Sequence, residues 1–314
     1  MVEEGRWGII YCPKNGLLSS PEKRWEHTER CLLSHGIEFD MVQSENPRSV
    51  DRLVRMLVSN GYKTIIIYGG DSALNDAVNY LMLLEPEERD KITLGVIPNG
   101  VLNDFAHFWG FDESHVEQTI KWLKQKRVRR VDIGCIRYEN KKNVRCRRYF
   151  LNCVNLGMAA AMVKLRRRYQ HFWGGLGLLR ELSSALMLVW HRHSARVRFT
   201  TGVETFEQRI TTLCVGSCTG YGQTPSAVPY NGMLDISAVR RPRLFEAFAG
   251  LWHLLRGRFL SQQKSVSVWR TRHVKFFQVG QGTVTIDSRP IRHRVSTMDV
   301  EVLRESQPFW VPVD

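Results

Sequence analysis

Residues 63–76 read Lys63-Thr64-Ile65-Ile66-Ile67-Tyr68-Gly69-Gly70-Asp71-Ser72-Ala73-Leu74-Asn75-Asp76. The unbroken β-branched run Ile65-Ile66-Ile67 predicts a strand covered on both faces, as in a parallel sheet. Gly69-Gly70 ends that strand, and a helix is expected from about residue 73 to 84. The same alternation extends to either side. Residues 7–12 and 37–43 are expected strands. Residues 21–34 are an expected helix, with Pro21 at its start behind Ser19 and Ser20, and 47–59 are another, closed by Asn60-Gly61. A further strand at 93–97 runs into Pro98-Asn99-Gly100. The order β-α-β-α-β-α-β implies an α/β domain with a parallel sheet and helices on both faces.

Beyond about residue 127 the pattern changes. Residues 128–138, 147–154, 195–201, 208–217, 233–239, 265–269, 274–279 and 283–287 read as strands. Only 158–164, a stretch near 176–190, and 244–255 look helical. This predicts two domains, 1–127 and 128–314, the second a β-rich, antiparallel sandwich or barrel. The extreme C-terminus is free to pack back on the first domain.

Of 314 residues, 43% are hydrophobic and 24% charged, which excludes disordered, collagen-like and coiled-coil classes. Lys and Arg number 45 against 31 Asp and Glu, a net charge of +14 that calls for an anionic partner. The seven cysteines are odd in number and scattered. Cys214 and Cys218, the closest pair, lack further ligands at zinc spacing, so buried thiols in a reducing compartment are expected. The apolar stretch 176–190 is interrupted by Arg180 and Glu181 and is too short to cross a bilayer. Met1-Val2-Glu3-Glu4-Gly5-Arg6 lacks the pattern of a secretory signal, so a cytoplasmic location is expected. Basic residues cluster at 121–130, 141–148, 164–168 and 256–275, with Trp173, Trp252, Phe259 and Trp269 nearby. That mixture suits the interface of an anionic membrane. No nucleic-acid-binding module is visible, and none is expected.

Two segments carry chemistry. Gly69-Gly70-Asp71 lies where a parallel strand ends and a helix begins, the place where α/β sheets bind ligands. Glycines there admit a phosphate to the backbone, the helix N-terminus favours an anion, and Asp71 can hold hydrated Mg²⁺ or activate a hydroxyl. A plain turn with Asp71 as a helix cap explains the same residues. Gly95-Val96-Ile97-Pro98-Asn99-Gly100-Val101-Leu102-Asn103-Asp104-Phe105-Ala106 ends the next strand and sets Asn99, Asn103 and Asp104 at a neighbouring bend. Turn and cap chemistry accounts for these too.

Together, and in this order, the two segments resemble the diacylglycerol kinase catalytic-domain family, which includes sphingosine and ceramide kinases and bacterial soluble lipid kinases. The resemblance continues through Arg130-Val131-Asp132-Ile133-Gly134, Phe150-Leu151-Asn152, Asn231-Gly232-Met233-Leu234-Asp235 and Ile286-Asp287-Ser288-Arg289-Pro290. It implies an α/β ATP-binding domain over 1–127, a β-rich lipid-binding domain over 128–314, and an ATP-dependent kinase of diacylglycerol or a related lipid alcohol. Gly69, Gly70, Asp71, Ser72, Asn75, Asn99, Gly100, Asn103 and Asp104 would bind the nucleotide. Asp71 would hold Mg²⁺, and Asp71 and Asp287 would be catalytic. The lipid would be met at an anionic membrane surface by a peripherally associated protein, and a homodimer is compatible with this reading.

The chain departs from the family pattern at several positions. Ser72 stands for a glycine, Ala73 and Val101 for threonines, Asp76 for Glu, and Asn231 for an acidic residue. Arg289 stands where the family's Glu is thought to accept the lipid hydroxyl's proton. These departures support an alternative, a member that binds lipid or nucleotide without efficient turnover. A kinase of soluble substrates resembling the NAD kinases, which share Gly-Gly-Asp, is a third reading.

Overall fold

The computed structural model describes residues 5–13, 20–46, 49–100, 103–139, 144–157, 160, 195–202, 204–219, 224, 226–240, 266–279, 283–287, 289–291 and 295–312. The chain divides into two compact units: Met1–Val131 with Glu305–Asp314, and Asp132–Arg304.

The first unit opens with β1 (Trp7–Tyr11), α1 (Pro21–Ser34), β2 (Phe39–Gln43), α2 (Val50–Ser59), β3 (Thr64–Gly69) and α3 (Asp71–Leu81). The short α4 (Pro86–Arg89), β4 (Thr93–Pro98), α5 (Asp104–Phe108) and α6 (Val116–Lys124) follow. β1 pairs in parallel with β2 and β3, and β3 with β4. All of β3 is buried, as its isoleucine run requires. α2 turns Val50, Val54 and Leu57 inward at helical spacing. Gly95 in β4 permits close packing, since a Cβ there would lie 2.6 Å from Ile66 Cδ1 and 3.3 Å from Leu123 Cδ2.

Next come β5 (Val128–Glu139), β6 (Arg145–Phe150), β7 (Cys153–Gly157), β8 (Ala195–Thr201), β9 (Glu204–Gly216) and β10 (Leu234–Arg240). β11 (Val266–Thr271), β12 (His273–Gln278), β13 (Val284–Ile286), β14 (Arg289–Pro290) and the long β15 (Met298–Trp310) complete the chain. β5 begins in the first unit and continues into the second; β15 runs the other way. The end of β15 adds a parallel neighbour to β4 through Phe309 and Leu94. Its Phe309 ring meets Phe105 at 5.0 Å, and Trp310 meets Trp7 at 5.1 Å. Burying such rings stabilises the unit by about 1.5–3 kcal/mol each.

The second unit is strand-rich, and its pairings are antiparallel. Its core joins Phe150, Phe199, Leu213, Ile236, Phe276 and Val300, all fully buried. One expectation needs correction. Residues 147–154 are not a single strand: β6 ends at Phe150 and β7 begins at Cys153. The cause is Asp287, whose carboxylate accepts the N–H groups of Leu151, Asn152 and Cys153 and draws the chain into a bend. The helices expected at 158–164, 176–190 and 244–255 lie outside the described residues, apart from Ala160. So do the Lys141–Lys142, 164–168 and 256–264 basic residues, and Trp173, Trp252 and Phe259.

An acid-sensitive clasp holds the edge of the first sheet. Arg6 donates to both oxygens of Asp40 at 2.6 and 3.1 Å, and Tyr62 donates a further hydrogen bond. The Arg6 hydrogen bonds, then that of Tyr62, hold the Asp40 carboxyl below its ordinary range. A depressed carboxyl stabilises the fold above its unfolded pKa and loses that contribution as pH falls through the folded value. Asp40→Asn is therefore expected to lower the unfolding temperature at pH 7. The gap should close below about pH 4, as read by thermal unfolding across a pH series.

Candidate functional site

Three strand ends of the first unit converge on one short stretch of backbone. Tyr11 of β1 lies opposite Tyr68 of β3, and Gly69 lies opposite Pro98 of β4. Past the strands, Cys12 N–H donates to the Tyr68 carbonyl at 2.9 Å, and Asn99 N–H to the Gly69 carbonyl at 2.9 Å. The Asn99 side chain then donates from Nδ2 to the Cys12 carbonyl at 3.0 Å. Asn99 thus ties the carboxyl ends of β1, β3 and β4 together, at the edge where parallel α/β sheets place their ligands.

Asp71 joins the two bends directly. α3 begins at Asp71 rather than near residue 73, with Gly70 as its N-cap in an extended conformation. The Asp71 carboxylate reaches across to the next bend. It accepts the Asp104 N–H on Oδ2 at 3.0 Å and the Phe105 N–H on Oδ1 at 3.2 Å, capping α5. Asn103 sits at the α5 N-cap position without bonding forward, because its side chain is turned back. Its Oδ1 accepts Gly100 N–H at 2.9 Å, and its Nδ2 donates to Glu113 Oε2 at 3.1 Å. The capping chemistry open to Asp71 in the sequence is therefore present on a helix more than thirty residues downstream.

The remaining expected positions share this region. Asn75, 5% exposed on the first turns of α3, accepts from Asn79 Nδ2 on its carbonyl at 2.9 Å and on its Oδ1 at 3.1 Å. Ser72, Gly70, Gly100 and Asp104 are half-buried at the rim, whereas Asn99 and Asn103 are buried within it. Two further residues belong here: Cys12, which stands in Cys12-Pro13 where the family usually has Asn-Pro, and Glu113, which was not singled out in the sequence. Cys12 packs against Gly69, where a Cβ would meet Cys12 Sγ at 3.3 Å, and Glu113 fixes the Asn103 amide. Glu113 has no local signal. It becomes visible only once the loop after α5 folds back.

The expected positions in the second unit form a scaffold of their own. Asp287 is 1% exposed, has a left-handed φ of 38°, and accepts Leu151, Asn152 and Cys153 N–H at 2.6, 3.0 and 2.8 Å. Its own N–H donates to the Cys153 carbonyl at 3.0 Å. The strand pair β13–β14 then carries Arg289 opposite Ile286. Asp132, fully buried, accepts Gly232 N–H at 2.6 Å, and Asn231 Oδ1 accepts Met233 N–H at 2.9 Å. Asp235 is held by both nitrogens of an Arg270 fork at 2.6 and 3.1 Å.

A family model described as the diacylglycerol kinase catalytic domain matches residues 6–136, which include every site position of the first unit. Residues 6–136 belong to the diacylglycerol kinase catalytic-domain family. Three relatives named "Probable lipid kinase YegS-like" support this family of lipid kinases. The one from Shewanella frigidimarina is 25% identical over 218 residues, 68% of this chain and 67% of the relative. That from Alcanivorax borkumensis is 26% identical over 83% of each chain. That from Chromohalobacter salexigens is 28% identical over 60% of this chain and 58% of its own length. A solved structure of a diacylglycerol kinase from Bacillus anthracis matches 98% of this chain and 97% of its own, with a TM-score of 0.67 at 15% identity, and so shares the fold.

The residues present fit the cofactors of a kinase family. Gly70 opens the eleven-residue α3 without a capping side chain, the geometry that receives a phosphate. The carboxylates of Asp71 and Asp104 and the amide of Asn75 offer hard oxygen donors suited to hydrated Mg²⁺. Among the described residues no cluster of three or more His, Cys, Asp or Glu is placed to hold a metal alone. Among the described residues no helix is long and apolar enough to cross a membrane.

Proposed function

We propose that this chain transfers the γ-phosphoryl group of ATP to a hydroxyl of diacylglycerol or a related lipid alcohol, at the membrane surface where that lipid resides. The observation that carries this reading is the Asp71 carboxylate bridging the Gly69–Asp71 and Asn99–Asp104 bends within a domain of this family. Gly69, Gly70 and the start of α3 would receive the phosphates. Asp71, with Asp104 and Asn75 beside it, would hold Mg²⁺, which when bound neutralises charge on the transferring group. Asn99 and Asn103 keep the pocket's backbone in place, so the protein's contribution is chiefly positioning. Asp287 shapes the bend ahead of Arg289; its oxygens serve backbone N–H groups, and we assign it a positioning role rather than proton exchange.

The test is transfer of labelled γ-phosphate from ATP to a panel of dispersed lipid alcohols with Mg²⁺. A phosphorylated lipid is expected, and no product with any alcohol would overturn the proposal. The second reading, binding without turnover, is favoured by Arg289, because a guanidinium remains protonated and cannot accept the hydroxyl proton. Arg289→Glu sharpens the comparison. Restoring a carboxylate is expected to raise turnover about 10²-fold or more in the same assay. Unchanged turnover would show that this position does not face the acceptor.

A further inference from the structure

The outer face of the second unit carries an arrangement that the kinase site does not use. On β12 the inward residues Val274 and Phe276 are fully buried, whereas Lys275 and Phe277 face out. Pairing with β8 runs Lys275 to Thr200 and Phe276 to Phe199, then jumps to Gln278 opposite Arg198. Phe277 is the extra residue of a β-bulge, a device that re-aims a side chain. It is left 47% exposed, with the Lys275 ammonium 5.5 Å from its ring centroid.

The strands beside it present cations in register. Arg196 on β8 lies directly opposite Arg209 on β9, and Arg198 lies opposite Glu207. Like charges facing each other across a strand pair destabilise it unless something neutralises them. Glu207 bridges Arg196 at 3.5 Å and Arg198 at 3.4 Å, and so serves two arginines at once. Asp299, opposite Lys275, bonds His273 at 2.7 Å. Arg196, Arg198, Arg209 and Lys275 thus stand exposed with Phe277 on adjacent strands, and Glu207 is the counter-charge shared by two of them.

We infer that this face of β8, β9 and β12 docks onto an anionic phospholipid surface, with Phe277 entering the headgroup layer and the four cations contacting lipid phosphates. Charge complementarity selects the partner. Phe277, presented by the bulge as the one exposed phenylalanine among the described residues, favours a bilayer over a nucleic acid, whose bases need aromatic stacking platforms along a groove. The inference deepens the kinase reading by naming where the enzyme meets its substrate's membrane.

The test is sedimentation of the full chain with vesicles of phosphatidylcholine alone or with 30% (about a third) phosphatidylglycerol, in the absence of ATP. Binding to the anionic vesicles is expected, weakening as salt rises. Arg196→Gln, Arg198→Gln and Lys275→Gln combined should reduce the partition coefficient roughly a hundredfold, and Phe277→Ser about tenfold. The pair Arg55→Gln and Lys63→Gln, both in the first unit, should leave it unchanged, with thermal unfolding showing that all variants are folded. Equal binding to neutral vesicles, equal loss in the first-unit pair, or binding to duplex DNA in place of vesicles would overturn the inference. Because binding is read without turnover, Asp71→Asn should sediment like the unaltered chain even if the kinase reading fails.

Discussion

Asp71→Asn is expected to lower phosphoryl transfer at least about a hundredfold while shifting the unfolding temperature by only a few degrees. The two effects arise from different properties of one carboxylate. Its oxygens accept the N–H groups of Asp104 and Phe105, and asparagine keeps one acceptor for that purpose. Loss of the cap should therefore cost at most about 1–2 kcal/mol. The negative charge, in contrast, has no substitute in an amide. Asp71→Ala removes both and should be less stable and equally inactive. The measurements are initial rates with saturating ATP and lipid, paired with thermal unfolding of the same samples. If Asp71→Asn retained full turnover, the residue would be a helix cap and nothing more.

Asp287→Ala should be the most damaging single change to the second unit. It strands three buried N–H groups, those of Leu151, Asn152 and Cys153, at the junction of β6 and β7. An unsatisfied buried donor costs about 1–3 kcal/mol, so a total of about 3–9 kcal/mol is expected, with a fall in unfolding temperature of roughly 10 °C or more. Asp287→Asn, which keeps one acceptor, should fall between. Turnover measured well below the transition separates structure from chemistry. A large rate loss in Asp287→Asn with unchanged thermal unfolding would return Asp287 to a catalytic role.

The periodic parts of the fold were legible in the residue order, and the site was legible as a set of neighbours. The isoleucine run of β3 marked a covered strand, and the Gly69–Asp71 and Asn99–Asp104 bends at successive strand ends marked one region. What residue order did not show was who bonds to whom. Asp71 next to a helix start looks like that helix's cap, and only the parallel pairing of β3 with β4 brings α5 within its reach. Residues 147–154 look like one strand because side-chain pattern is blind to a carboxylate arriving from residue 287. Glu113 was hidden for the same reason: its partner Asn103 lies across a loop. The bulge at Phe277 does leave a mark in the residue order, since the buried apolar positions step from Val274 and Phe276 to Val279 and break the period of two.

The closing strand of the first unit sets a schedule for its assembly. Phe309 and Trp310 complete the packing around Phe105 and Trp7, yet they leave the ribosome only after residues 132–304. During synthesis the first unit must wait as an open sheet, with the flank of β4 uncovered, until the second unit has been made. A fragment ending at residue 131 should accordingly be a poor vehicle for study, and extensions fused behind Trp310 should slow maturation more than those placed before Trp7.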